Sequence, residues 1–164
     1  MNDINLRNMT SLYLIHKEKF LLLYRIGSRV IKDSYTGTAG GHFEKDELNY
    51  PKACVLRELY EETGLTETDI TDISLKYITL RMKNSEIRQN YYYFANIDRE
   101  VKLKSNEGRL EWVEFNRALE LDMPYTSKYV IEHYLKTGRN TDFLYGGMAD
   151  KKGVCFNVLE NFND

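Results

Sequence analysis

Gly40 to Leu65 reads GGHFEKDELNYPKACVLRELYEETGL, and the rest of the chain is interpreted around it. At about 100° per residue, its second half winds into a helix. Glu58, Glu61 and Glu62 then share one face, because positions i, i+3 and i+4 are neighbours on a helix surface. Val55, Leu56, Leu59 and Tyr60 occupy the opposite arc, the expected core face. Three carboxylates at this spacing repel one another and destabilise the helix. They are either a solvated acidic face or the holders of a divalent cation. For the latter, an all-oxygen donor set suits Mg²⁺ or Mn²⁺ and not zinc. Pro51 suits the first turn and Gly64 the helix end. Gly40-Gly41 precede the helix, Glu44 and Glu47 lie in the segment between, and Arg57 stands beside the acidic face.

This arrangement resembles the signature of the Nudix hydrolases, at Gly41, Glu47, Arg57, Glu58, Leu59, Glu61, Glu62, Gly64 and Leu65. One spacing departs: nine residues separate Glu47 from Arg57, two more than in the family pattern, and the expected place for them is the loop before Pro51. The resemblance implies an α+β fold, a Nudix-type α/β/α sandwich with a mixed β-sheet. It also implies hydrolysis of a diphosphate linked to another moiety, usually a nucleoside, with Mg²⁺ or Mn²⁺ required. By the same resemblance Glu58, Glu61, Glu62 and the Gly41 carbonyl hold the metal. Arg57 orients the carboxylates through a salt bridge to Glu47 or to a motif glutamate. Glu47 and Gly64 serve the motif's structure.

Composition sets the broad class. The 164 residues predict one domain over 1–164, with the motif at 41–65. At 42% hydrophobic and 29% charged the chain reads as an ordinary globular protein. A net charge of −2 argues against a partner that is a nucleic-acid polymer. No apolar run approaches the ~20 residues of a membrane span. MNDINLRNMT lacks the apolar centre of a secretory leader. Cys54 and Cys155 form no ligand or redox motif, and Cys54 reads as a small packed residue. The expected setting is the cytoplasm and the expected partner a small nucleotide; a homodimer is compatible with all of this.

The remaining elements follow from pattern. Met9–Ile15 and Phe20–Tyr24 read as a strand hairpin. Arg25, Arg29 and Lys32 follow; they either serve solubility or, for Arg25 and Arg29, contact the substrate's phosphate or base. Ser34–Gly41 is a glycine-bearing strand or turn. Segments 74–83 and 88–97 are two further strands, with Tyr91, Tyr93 and Ala95 on one face and Tyr92, Phe94 and Asn96 on the other. These aromatics are assigned to the core. Leu110–Phe115 is a short strand, and 116–121 a short helix. A longer helix runs to Lys136, capped by Thr126 or Ser127, with Val130, Ile131, Tyr134 and Leu135 as its apolar stripe. A terminal hairpin spans about 143–159.

Glu107 is the candidate general base. The run Asn106-Glu107-Gly108-Arg109-Leu110-Glu111-Trp112 resembles the Glu-Gly…Glu-Trp segment of the mutator-type, nucleoside triphosphate branch, one residue shorter. There the first glutamate binds metal and helps activate water; Glu111 is the reserve. Substrate markers of the other branches are missing. The neighbourhood that carries a proline in common ADP-ribose hydrolases is Leu80-Arg81-Met82, and no proline occurs between Pro51 and Pro124. Lys83 and Asn84 stand where dinucleoside polyphosphate hydrolases often carry a tyrosine. The resemblance therefore points to a (deoxy)nucleoside triphosphate such as 8-oxo-dGTP, cleaved to the monophosphate and pyrophosphate. ADP-ribose or a dinucleoside polyphosphate is the alternative substrate. A non-catalytic nucleotide-sensing module would predict lost motif carboxylates, and none is missing. Isopentenyl diphosphate isomerase shares the fold, but its carbon chemistry typically needs a Cys and a Glu on separate elements, and Cys54 is misplaced for that.

Overall fold

The computed structural model describes residues 3–26 and 33–159. The chain begins with β1 (Asn5–His16), which turns at Lys17 into β2 (Lys19–Arg25) through a tight antiparallel hairpin pairing Leu14 with Leu21. After β3 (Ser34–Thr36) comes helix α1 (Pro51–Thr63). Pro51 starts the helix, its missing N–H falling where no intrahelical partner exists. Gly64 ends it in the left-handed region at φ 75°, its N–H bonding the Tyr60 carbonyl at 2.8 Å. The long strands β4 (Thr71–Lys83) and β5 (Glu86–Asn96) form the second hairpin. β6 (Gly108–Glu114), a single helical turn α2 (Phe115–Ala118) and helix α3 (Tyr125–Lys136) follow. The terminal hairpin is β7 (Tyr145–Asp150) with β8 (Gly153–Val158).

Among the described residues these strands form one mixed sheet, in the order β3-β2-β1-β5-β4-β7-β8, with β6 on β2. β1 runs parallel to β5, and β4 parallel to β7; the other pairings are antiparallel. Alternation along the strands sends side chains to opposite faces. One face carries Tyr13, Phe20, Tyr77, Tyr92 and Phe94 against Val130, Ile131 and Tyr134 of α3. Phe94 stacks on Tyr134 with centroids 3.8 Å apart. The other face carries Leu12, Leu14, Leu21, Tyr93 and Ala95 against Val55 and Leu59 of α1. A sheet between helices on both faces is the sandwich that the motif resemblance implied, and the aromatics of β5 split between the two cores as alternation requires.

Beyond the hairpin end, β1 and β2 separate. Residues 38–43 take up the edge of β1, with Ala39 paired to Leu12 and His42 to Met9. Thr38 sits at the fork: its hydroxyl donates to the Leu21 carbonyl at 2.6 Å and accepts from the Leu14 N–H at 2.9 Å. A side chain thus satisfies two backbone groups that the splayed strands no longer give each other. The fork delivers Gly40-Gly41 to the flank of α1.

Three local expectations are corrected. Tyr60 is 61% exposed, because the core face of α1 is narrower than its apolar arc; Cys54, Val55 and Leu59 are its buried residues. Neither Thr126 nor Ser127 caps α3. Pro124 precedes its first residue, and Ser127 is buried within the helix. β4 begins at Thr71, ahead of the strand expected over 74–83.

Candidate active site

Glu47 and Arg57 form the structural centre of the motif. The two additional residues lie between Glu47 and Arg57, where the turn at Leu48-Asn49 leads into Pro51, and Glu47 itself closes a single 3₁₀ turn, Lys45–Glu47. That turn buries the Glu47 side chain to 9% exposure. Arg57 clamps it bidentately, Nε donating to Oε1 at 2.7 Å and Nη2 to Oε2 at 3.0 Å. The Glu44 N–H adds a third donor at 2.9 Å. These bonds, Arg57's first, hold the Glu47 carboxyl down to about 2 despite its burial. Arg57 also donates to the His42 carbonyl at 3.0 Å, to Glu58 at 2.9 Å and to Glu61 at 3.1 Å. One guanidinium therefore fixes the Gly41 strand, the 3₁₀ turn and two motif glutamates.

The other flank of α1 is different. Glu62 is half-buried and receives the Gly40 N–H at 3.2 Å. Burial, with the neighbouring charge of Glu58, pushes its carboxyl up to about 7; the Gly40 bond and the Arg25 charge only partly offset this. Glu58 lies directly against Gly41. A methyl group at Gly41 would stand 2.2 Å from Glu58 Oε1, so a side chain there would displace that carboxylate. Glu61 is exposed. Among the described residues no three His, Cys, Asp or Glu side chains converge as a closed metal shell. The reason is visible: Arg57 draws Glu58 and Glu61 to its side, while Gly40 holds Glu62. The donors themselves fit a hard divalent ion, being carboxylate and peptide oxygens.

Two sequence-distant groups reach this flank. Register places Arg25 opposite Gly108 at the end of the β2–β6 ladder, and Arg25 ion-pairs with Glu107. Since Arg25 also acts on Glu62, it links the 105–108 turn to the motif helix. Glu111 is engaged elsewhere: it accepts from the Tyr35 hydroxyl at 3.2 Å and pairs with Arg109. Arg29 lies outside the described residues. His42 accepts from Arg7, and burial together with that charge lowers its pKa. Cys54 is fully buried between Thr10 and the His42 carbonyl, its thiol pushed up to about 11, as a packed residue and not a nucleophile.

A pocket opens beside Glu62 and Gly40, over the face of β1, β5 and β4, and is closed on its far side by Pro124 and Tyr125. Arg25 lines its near end; Asn90, Arg88 and Arg81 line the rest. Sequence reading did not assign Arg81, Arg88, Asn90 or Tyr125 to a site. Their shared pocket depends on strand register, which no local pattern displays.

A family model described as NUDIX domain matches residues 6–134. No curated protein sequence matches the chain. Among solved structures, the mutator MutT protein from Bacillus halodurans is 23% identical, over 93% of this chain and 97% of that one, with a TM-score of 0.64. An Ap4A hydrolase from C. elegans is 15% identical, over 82% and 99%, with a TM-score of 0.65. The NUDIX domain of Shewanella oneidensis NrtR, solved with ADP ribose, is 17% identical, over 86% and 91%, with a TM-score of 0.60.

Proposed function

Because the chain belongs to the NUDIX family and is a Nudix hydrolase, we propose that it hydrolyses a (deoxy)nucleoside triphosphate, such as 8-oxo-dGTP, to the monophosphate and pyrophosphate. The observation that carries this reading is the pairing of Glu58 and Glu62 with Gly40-Gly41 at the mouth of a pocket whose near end holds Arg25. Glu58, Glu61, Glu62 and the Gly41 carbonyl would hold Mg²⁺ or Mn²⁺. When bound, such an ion neutralises the diphosphate and makes water a better nucleophile.

The chain's own residues supply the rest. Arg57 is a positioning residue, releasing Glu58 and Glu61 toward the ion while keeping Glu47. Arg25 exchanges Glu107 for a substrate phosphate, a charge-assisted swap of one oxyanion for another. Glu107, so released, takes the proton of the attacking water as the oxygen bonds to phosphorus and the bridging P–O bond breaks. The leaving phosphate group departs with the electron pair of that bond. Cys54 and Cys155 are both free thiols, which suits a reducing cytoplasm. No helix among the described residues is long and apolar enough to cross a membrane.

The test is a substrate panel with Mg²⁺, with products identified by mass spectrometry. A nucleoside triphosphate should show the highest kcat/KM and release pyrophosphate. Higher kcat/KM for ADP-ribose or a dinucleoside polyphosphate would overturn the substrate assignment and leave the hydrolase in place.

A further inference from the structure

The far end of the pocket holds an arrangement that hydrolysis at the motif does not use. Arg81 on β4 stands directly opposite Arg88 on β5, and Arg88 directly opposite Arg7 on β1. Three like charges in successive register positions of one sheet are destabilising unless something compensates them. One carboxylate does so in part: Glu86 pairs with Arg88 at 2.5 Å and with Arg7 at 3.5 Å. Arg81 receives no such help. Among the described residues its guanidinium makes no ion pair and no hydrogen bond. It lies over the Tyr125 ring at 4.5 Å, and the Tyr125 hydroxyl is anchored to the Asp150 carbonyl at 2.8 Å. The Asp150 carboxylate is committed to the N–H groups of Lys152 and Gly153. Stacking uses the face of a guanidinium and leaves its in-plane N–H donors free. Arg81 is therefore held in place with its donors uncommitted, in a pocket wall it shares with Arg88.

This cationic pole is separate from the one at Arg25. Arg25 lies on β2, whereas Arg88 and Arg81 lie beyond β1 on β5 and β4. At ~4.8 Å per strand, two or more strand positions put the poles at least about 10 Å apart. Ser11 and Asn90, both neutral, line the floor between. A linear triphosphate engaged at Arg25 and Glu62 would leave this far end open to its nucleoside.

We propose that Arg81 and Arg88 form a second anion subsite that takes a phosphate monoester carried on the nucleoside moiety of the substrate, remote from the diphosphate that is cleaved. The inference rests on the reading of the motif as the hydrolytic centre and narrows its substrate class to nucleotides phosphorylated at both ends. A dianionic monoester matches two adjacent guanidiniums, each able to donate two parallel hydrogen bonds, and it relieves their mutual repulsion.

Two measurements test it. In the first, kcat/KM is compared for guanosine 5′-triphosphate and its 3′-phosphorylated counterpart, using the wild type, Arg81→Gln and Arg88→Gln. The wild type should favour the 3′-phosphorylated nucleotide by about tenfold or more, as expected for new charge-assisted hydrogen bonds. Each variant should reduce that ratio toward one. A wild-type ratio near one, or a variant that lowers both substrates equally, overturns the subsite. In the second, calorimetry compares guanosine 3′,5′-bisphosphate with guanosine 5′-monophosphate as ligands. It needs no turnover, so it reports on the subsite even if neither triphosphate is hydrolysed, a result that would instead overturn the proposed function. Tighter binding of the bisphosphate, lost in Arg81→Gln, supports the subsite; equal binding removes it.

Discussion

Glu47 and Glu62 carry the same side chain to the two flanks of α1, and the fold drives them in opposite directions. Glu47 is the more buried, yet its carboxyl is held down to about 2. Glu62 is less enclosed, and its carboxyl is pushed up to about 7. Burial alone would raise both. The difference is Arg57, which gives Glu47 two short bonds and leaves Glu62 with one peptide N–H and an acidic neighbour. The Glu47 flank is a finished electrostatic structure. On the Glu62 flank, burial and an acidic neighbour are only partly offset by the Gly40 N–H and the Arg25 charge, which fits the proposed role in holding a cation.

The sharpest way to break this contrast is turnover. Glu62→Gln or Glu61→Gln should reduce kcat by about 1000-fold with the fold intact, on the scale of losing one transition-state electrostatic contact. Near-normal kcat in either variant would remove these carboxylates from the metal site. Glu107→Gln comes next, with a loss of about 100-fold in kcat and little change in KM, as for a displaced general base. If Glu111→Gln loses more, the base lies on β6 itself and not in the turn before it.

Stability separates the flanks in the other sense. Glu47→Gln strands Arg57 and should destabilise the protein by about 2 kcal/mol at pH 7. Because the folded pKa lies below the ordinary value of 4.5, this contribution is complete above pH 4.5 and fades as pH falls toward 2. Urea unfolding of wild type and variant at pH 7 and at pH 3 should therefore show a narrowing difference. Glu62→Gln should do the reverse in metal-free protein. A raised folded pKa favours the folded state below pH 4.5, and that advantage is lost as pH rises through about 7. The variant should gain about 1 kcal/mol at pH 8, a figure reduced for solvent screening at a half-buried site, and nothing at pH 4. Equal melting temperatures at pH 8 would mean that Glu62 is not held against its charge.

Much of this was legible in the chain itself. The helix, its end at Gly64, the two faces of β5 and the partnership of Arg57 with Glu47 all depend on short-range spacing or on one motif. The exposure of Tyr60 was not legible, because an apolar arc does not state how wide a groove the sheet offers it. Nor was the Arg7–Arg88–Arg81 row. Each arginine looks like a solvated charge in its own strand, and only the register of β1, β5 and β4 sets them side by side. Arg25 and Glu107 met for the same reason, through the β2–β6 ladder.

The parallel pairing of β1 with β5 also has a kinetic consequence. Asn5 meets Glu86 and Ile15 meets Asn96, partners some eighty residues apart in the chain. The β1–β2 hairpin can close locally and early, but the central ladder must wait until everything through β5 has been synthesised and a long loop has been closed. Arg81 and Arg88 meet within the local β4–β5 hairpin, but the pocket floor they share with Ser11 of β1 exists only after that closure. A ligand that needs the complete pocket would therefore report a non-local step of folding, while burial of the first hairpin reports a local one.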